Sequence, residues 1–269
     1  MNRKIIKTVC RAPDLLRERA PLVHNITNLV VMNSSANILL ALGAFPVMAH
    51  AENEVADMAA LADALVLNIG TLTDDWVRSM ILAGRAANQK GIPVVLDPVG
   101  AGATPLRTRV AREILLEVDV SILRGNASEI NALAGAGSGA RGVDAVHGVD
   151  DVAPAAAKFA RDNRIIVFVS GETDLVTDGA RNIRIRGGDP MMPMITGMGC
   201  GLSAVTAALS AAVEDPLDAS VSAAAIFAAA GEKATRNSSG PGSFEISFRD
   251  ALYGICGADL TTIEIKEER

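Results

Sequence analysis

Residues 93–102 read Pro93-Val-Val-Leu-Asp-Pro-Val-Gly-Ala-Gly102, a short apolar run that stops on a carboxylate and breaks into a turn of proline and glycine. A few apolar residues bounded by turn signals read as a buried strand, here Pro93–Leu96. Phe45–Ala49, Ala64–Asn68, Ser121–Leu123 and Ile165–Val169 repeat the pattern. Between them, Ser34–Leu42, Asp75–Lys90, Leu106–Glu117 and Val152–Asp162 carry helical spacing. Strands alternating with helices predict an α/β fold, a central mostly parallel sheet flanked by helices. After Ser170 the runs shorten to Asp174–Thr177 and Asn182–Arg186, predicting a hairpin on the sheet edge, followed by three helices ending near Tyr253. Residues 1–20 read as an amphipathic helix. With no Pro/Ser-rich linker or charge block to divide the 269 residues, a single domain over 1–269 is expected.

Composition narrows the function. The net charge is −6, with no basic stripe and only one Trp and one Tyr to stack on bases, which argues against nucleic acid as partner. Cys10, Cys200 and Cys256 are widely spaced and lack any zinc-like pattern, so a reducing cytoplasm is expected. The N-terminus carries early charge and does not read as a secretory signal. Pro21–Ala51 and Pro190–Val213 contain no charged residue, but Asn, Ser, Thr, Gly and Pro interrupt them too often for a membrane span. They are expected to be buried and to line a pocket for a neutral ligand.

In an open parallel sheet, ligands bind beyond the carboxyl ends of the strands. Those ends here are Asp97-Pro-Val-Gly-Ala-Gly102, Arg124-Gly-Asn-Ala-Ser-Glu129 and Ser170-Gly-Glu-Thr173. An arginine that ends a buried strand needs an anionic partner, and phosphate is one. Asp97 and Glu129 supply the carboxylates that magnesium takes, often through water. The simpler readings are that Asp97 starts a turn and that Asn126 caps a helix, with Glu129 closing a capping box. The fourth element is Thr196-Gly-Met-Gly-Cys200, running into the small-residue stretch Gly201–Leu209. Glycines 197 and 199 permit a tight turn with inward N–H groups at a helix start, an elbow suited to an anion. The helix dipole there is expected to favour Cys200 as a thiolate. Cys10 and Cys256 read as small packing residues, and His24 and His50 as hydrogen-bonding groups near the pocket. His147 reads as surface loop, and Ala134–Gly148 as a mobile loop or an ATP lid.

These elements together carry a resemblance. His24-Asn-Ile-Thr-Asn28, Pro46-Val-Met-Ala-His50, the Asp97 and Arg124–Glu129 segments and the elbow, in this order over residues 10–255, resemble the hydroxyethylthiazole kinase family. This is the thiamine-salvage branch of the ribokinase superfamily, so the resemblance implies a ribokinase-like fold. It also implies ATP- and magnesium-dependent phosphorylation of the primary alcohol of 4-methyl-5-(2-hydroxyethyl)thiazole. By the same resemblance Arg124 and Ser170 contact ATP, while Met48, Gly197 and Asn25 contact the thiazole. Asp97 and Glu129 serve magnesium, directly or through water or phosphate, and Cys200 is the catalytic residue that handles the alcohol proton. The alternative for Cys200 is a small residue that leaves room for the alcohol. A homotrimer with sites between subunits is implied as well. The family elbow usually has threonine where this chain has Met198, which removes a hydroxyl but no backbone N–H.

Two rivals share much of this pattern. A superfamily kinase for hydroxymethylpyrimidine or pyridoxal would usually end the elbow in Asp. A non-catalytic thiazole-binding sensor would tolerate Cys. A dinucleotide-dependent oxidoreductase is disfavoured, because Phe45–Ala49 is followed by His50-Ala-Glu-Asn53 and not by a glycine-rich turn.

Overall fold

The structure, a computed structural model, describes residues 3–135 and 148–268. Its strands are β1 (Leu22–Ile26), β2 (Phe45–Val47), β3 (Ala64–Asn68), β4 (Val94–Asp97), β5 (Ile122–Asn126), β6 (Ile166–Ser170), β7 (Thr173–Thr177), β8 (Asn182–Arg186) and β9 (Glu264–Glu268). They form one sheet in the order β2-β1-β3-β4-β5-β6-β7-β8-β9. All pairs from β2 to β6 are parallel; those from β6 to β9 are antiparallel. The mostly parallel α/β sheet therefore follows the sequence reading.

Helices cover both faces, because strands buried on two sides alternate their side chains between two cores. Val23, Val66, Val95, Ile122 and Phe168 join the core built with α1 (Arg3–Arg19), α2 (Met32–Leu42), α8 (Met198–Ala212), α9 (Pro216–Thr235) and α10 (Pro241–Tyr253). Ile26, Leu65, Leu67, Leu96, Leu123 and Val167 join the other. That second core includes α3 (Val55–Leu61), α4 (Asp74–Lys90), α5 (Pro105–Glu117), α6 (Ala127–Ala134) and α7 (Val149–Asn163). Alanines and serines dominate the buried face of α9, which lets it pack closely on α8 and α10.

Several expectations need correction. β1 lies inside the uncharged segment 21–51, where His24 and Asn25 hide a strand among polar letters. β2 stops at Val47 rather than Ala49. Arg124 does not end its strand, since β5 continues through Asn126. The β7–β8 hairpin is not the sheet edge: the chain returns after Tyr253 and adds β9 outside β8. The charged, alternating run Glu264-Ile-Lys-Glu-Glu268 pairs with one face buried and one face wet, a pattern that reads as tail by composition alone. The expected loop or lid at Ala134–Gly148 falls mostly on positions 136–147, which with His147 lie outside the described residues.

Candidate active site

Strand alternation decides which polar side chains can meet. Counting by twos from the residues that face α8, Val23 leads to Asn25, Val66 to Asn68, Val95 to Asp97, Ile122 to Arg124 and Asn126, and Phe168 to Ser170. All lie at or near the carboxyl ends of adjacent strands, on the face that α8 covers. The register pairs Asn68 with Asp97 and Asn126 with Ser170. The elbow brings the start of α8 over them.

Gly197 precedes α8 with φ of +86°, and a Cβ there would lie 2.7 Å from Val31 Cγ1, so only glycine fits the turn. No side chain caps α8, which leaves the first-turn N–H groups of Met198, Gly199 and Cys200 for an anion. Met198 packs against the core, so the hydroxyl that threonine would bring is replaced by an apolar contact. Gly199 is needed for another reason: a Cβ would lie 2.8 Å from Arg124 Nη1. The guanidinium thus sits directly against the elbow.

Arg124 Nη2 donates to Ser170 Oγ at 2.7 Å, and Nη1 lies 3.9 Å from Asp97 Oδ2. Its buried Nε has no hydrogen-bond partner among the described residues. A buried guanidinium with a free N–H beside uncapped backbone donors is a site for an oxyanion. A cleft of about 470 Å³ opens alongside, lined by Asn126, Ser128, Gly148, Ser170, Gly171 and Thr173. A larger groove, about 690 Å³, runs along α5 past Arg109, Arg112 and Leu116 and contains none of the expected site residues.

Asp97 is buried, and Asn68 Nδ2 and Ser203 Oγ both donate to its Oδ2, at 2.9 and 2.7 Å. Desolvation pushes its pKa up to about 6; Arg124 opposes the shift and the charge of Glu129 adds to it. Glu129 serves first as a brace. Its Oε1 accepts from Gly100 N and its Oε2 from Asn126 N, each at 2.8 Å, while Asn126 Oδ1 accepts from Glu129 N at 2.9 Å. The capping box foreseen for Asn126 is thus present and also ties the Asp97–Gly102 turn to α6. Arg107 braces the same region, donating to the carbonyls of Ile69, Gly70 and Val99.

Among the described residues no group of three or more His, Cys, Asp or Glu side chains could hold a metal by itself. Asp97, its pKa raised by burial and by the charge of Glu129 beside it, is one of a carboxylate pair suited to a divalent cation, and Asp97 and Glu129 would hold magnesium together with waters and phosphate oxygens.

Cys200 departs from expectation. Burial and the charge of Asp97 push its thiol up to about 11, against hydrogen bonds from Asn68 and Asn28 and the charge of Arg124, so it is a neutral thiol and not a thiolate. Asn28 Nδ2 donates to its sulfur at 3.4 Å. Asn25 is fully buried, with Nδ2 bonded to Val23 O and Oδ1 unpartnered among the described residues. Met48 leaves the outermost parallel strand, half-buried at the same carboxyl edge. His24 hydrogen-bonds Ala49 O, and burial holds its pKa down and its ring neutral. His50 packs against Trp76 with the rings tilted by 46° and their centroids 4.9 Å apart. Cys256, expected to pack inside, is exposed and donates to Asp259.

Asn68, Ser203 and Arg107 join the site without a place in any of the motifs' assigned roles, and Asn28, quoted only as the last residue of the His24–Asn28 motif, joins it through Cys200. Asn68 could have been found, because it ends a strand as Asp97 does. Ser203 and Arg107 sit inside helices and carry no local signal.

The model of the Hydroxyethylthiazole kinase family matches residues 14–257. The chain belongs to this family. It is 54% identical to a hydroxyethylthiazole kinase of Oleidesulfovibrio alaskensis over 93% of this chain and 94% of that protein. It is 51% identical to one from a Thermoanaerobacter species, over 90% and 92%. The solved hydroxyethylthiazole kinase of Pyrococcus horikoshii superposes with a TM-score of 0.90 at 45% identity, covering 98% of this chain and 100% of that one. A pyridoxal kinase from Staphylococcus aureus, solved with AMP-PCP and pyridoxal, shares the fold alone, with a TM-score of 0.59 at 18% identity over 79% and 88% of the two chains. As a member of the hydroxyethylthiazole kinase family the chain is a ribokinase-like enzyme that uses ATP.

Proposed function

We infer that this enzyme transfers the γ-phosphoryl group of ATP to the primary alcohol of 4-methyl-5-(2-hydroxyethyl)thiazole, in thiamine biosynthesis or salvage. The observation that carries this reading is the meeting of three elements at one point. The uncapped start of α8, the half-satisfied guanidinium of Arg124 and the thiol of Cys200 converge there. Family membership turns the sensor alternative into an enzyme.

The roles follow from the chemistry of each group. Arg124 and Ser170 hold phosphate oxygens of ATP, the arginine through its free N–H. Asp97 would hold magnesium, with Glu129 behind it, and the ion when bound neutralises charge on the phosphates. The elbow N–H groups of Gly199 and Cys200 receive the charge that develops on the transferred group. A loose transition state asks little of a base, so a neutral Cys200 thiol suffices to accept a hydrogen bond from the alcohol and orient its oxygen, while the alcohol proton passes late in transfer to an oxygen of the transferred phosphoryl group and from there to water. Met48, Gly197 and Asn25 line the thiazole side, where the unpartnered Asn25 Oδ1 is available to a ring substituent.

Leu29 and Val30, 67% and 63% exposed, directly follow Asn28. A neighbouring copy seated there would complete the pocket, and a homotrimer supplies one. The three free cysteines suit a cytoplasmic location. Among the described residues no helix is long and apolar enough to cross a membrane. Incubating purified protein with ATP, magnesium and the thiazole alcohol tests the reading: equal yields of ADP and thiazole phosphate are expected. No phosphate ester from any concentration of the alcohol would contradict it.

A further inference from the structure

Two asparagines absent from the roles above connect the carboxylate to the thiol. Asn68 Nδ2 donates to Asp97 Oδ2 at 2.9 Å, and Asn28 Nδ2 donates to Asn68 Oδ1 at 2.9 Å and to Cys200 Sγ at 3.4 Å. An amide can in principle be turned over, exchanging donor for acceptor. Here it cannot. Gly70 N, which can only donate, points at Asn68 Oδ1 at 3.0 Å, and Val30 N points at Asn28 Oδ1 at 3.1 Å. Reversing either side chain would set N–H against N–H and oxygen against oxygen, the Asp97 carboxylate for Asn68 and the Asn68 amide oxygen for Asn28. The polarity of the whole chain is therefore dictated by two backbone groups.

We propose that Asn28 and Asn68 are positioning residues for Cys200: their hydrogen-bond chain anchors on Asp97 and presents an N–H to the sulfur, so that the thiol's own proton must point away from Asn28. The inference rests on the kinase reading for its consequence and on geometry alone for its existence. Each bond has a task. The N–H of Asn28 occupies one lone-pair direction of the sulfur and fixes the rotamer of Cys200. The bond from Asn68 to Asp97 keeps Asn28 in register with the carboxylate, so that the alcohol side and the phosphate side of the cleft move as one unit. A thiol left to rotate would spend part of its time with neither lone pair nor proton directed at the substrate oxygen.

The test uses Asn28→Asp at pH 8, which keeps the acceptor for Val30 and replaces the donor by a carboxylate oxygen, with Asn28→Ala as a second variant should the first not fold. The S–H stretching band of Cys200 is identified in infrared difference spectra by its loss in Cys200→Ala. It should shift when Asn28 is changed. The kcat should fall about tenfold, the scale of one lost positioning hydrogen bond, while KM for ATP stays within about twofold. That loss should vanish in a Cys200→Ala background, because a residue acting through the thiol has nothing left to act on. An unshifted S–H band, or an equal loss of kcat in both backgrounds, would overturn the proposal. Failure of the wild-type enzyme to make thiazole phosphate would overturn the kinase reading instead, and the infrared comparison would still decide the hydrogen-bond chain.

Discussion

Arg124 and Ser170 stand on neighbouring parallel strands, and the guanidinium Nη2 reaches the serine hydroxyl at 2.7 Å while the buried Nε remains without a partner among the described residues. The pair is set by register: Asn126 lies opposite Ser170, which puts Arg124 opposite Phe168, over whose ring the guanidinium lies 5.9 Å from the centroid. Replacing Arg124 by lysine keeps the charge and loses the fork. The expected outcome is a KM for ATP raised about 10- to 100-fold, the span of one or two charge-assisted hydrogen bonds, with the thiazole KM little changed. Steady-state kinetics against ATP checks this, and an unchanged KM would remove Arg124 from the nucleotide site.

The two carboxylates should respond differently to neutralisation. Asp97→Asn can keep an oxygen for Ser203 and Asn68, so the variant should fold normally yet need far more magnesium for turnover. Glu129→Gln turns one acceptor into a donor that faces either Gly100 N or Asn126 N. It should cripple transfer and also cost about 1–3 kcal/mol of stability, the penalty for a mismatched buried hydrogen bond. Magnesium titration and thermal unfolding separate the effects; wild-type turnover in folded Glu129→Gln would refute its part in the site.

The pH dependence follows from two raised pKa values. Asp97 titrates at about 6 in the folded protein against an ordinary 3.8, so the native state binds the extra proton between those values. Its contribution to stability is therefore lost as pH rises through that window, the reverse of the usual acid unfolding of a paired carboxylate. Activity should run the other way if Asp97 holds magnesium as proposed, since the ion would compete with the proton: at limiting magnesium, kcat/KM should fall below about pH 6, and added magnesium should move the inflection lower. Cys200, at about 11, adds no inflection between pH 7 and 9. A rise in rate with a midpoint near pH 8 would mean that the thiolate is the working species.

Truncating the thiol tests its role directly. Cys200→Ala should lower kcat towards the lower end of the roughly 10²–10⁴-fold span of proton-handling groups, because the transition state is loose. Rates measured with ATP affinity unchanged give the answer. Wild-type turnover would reduce Cys200 to a spacer, and complete loss would show that the thiol does more than orient the alcohol.

Much of this was legible in the chain because it obeys local rules. The apolar runs match β3 to the residue and β4 and β6 to within one, and the two-residue alternation that buries Val66 and Val95 also carries Asn68 and Asp97 to the α8 face. What stayed hidden needed long-range information. Asn28 and Cys200 are 172 positions apart and Ser203 and Asp97 106 apart, so no spacing rule links them. β1 carries no strand signal in the sequence because its polar members, His24 and Asn25, are buried. The thiolate expectation failed because it rested on the helix start alone, while burial and the charge of Asp97, both set by the tertiary fold, push the thiol up.

The cleft is proposed to phosphorylate a thiazole alcohol in preference to related alcohols, and steady-state kinetics on purified protein with three acceptors measures that preference. The charge-free segments 21–51 and 190–213, proposed to line the thiazole side, would offer little to repay desolvating the polar substituents of hydroxymethylpyrimidine or pyridoxal, and a one-carbon arm would hold the alcohol oxygen back from the elbow. The thiazole alcohol should therefore show the highest kcat/KM of the three, with one ADP formed per phosphate ester. A higher kcat/KM for hydroxymethylpyrimidine or pyridoxal would contradict the assignment of substrate while leaving the kinase fold in place.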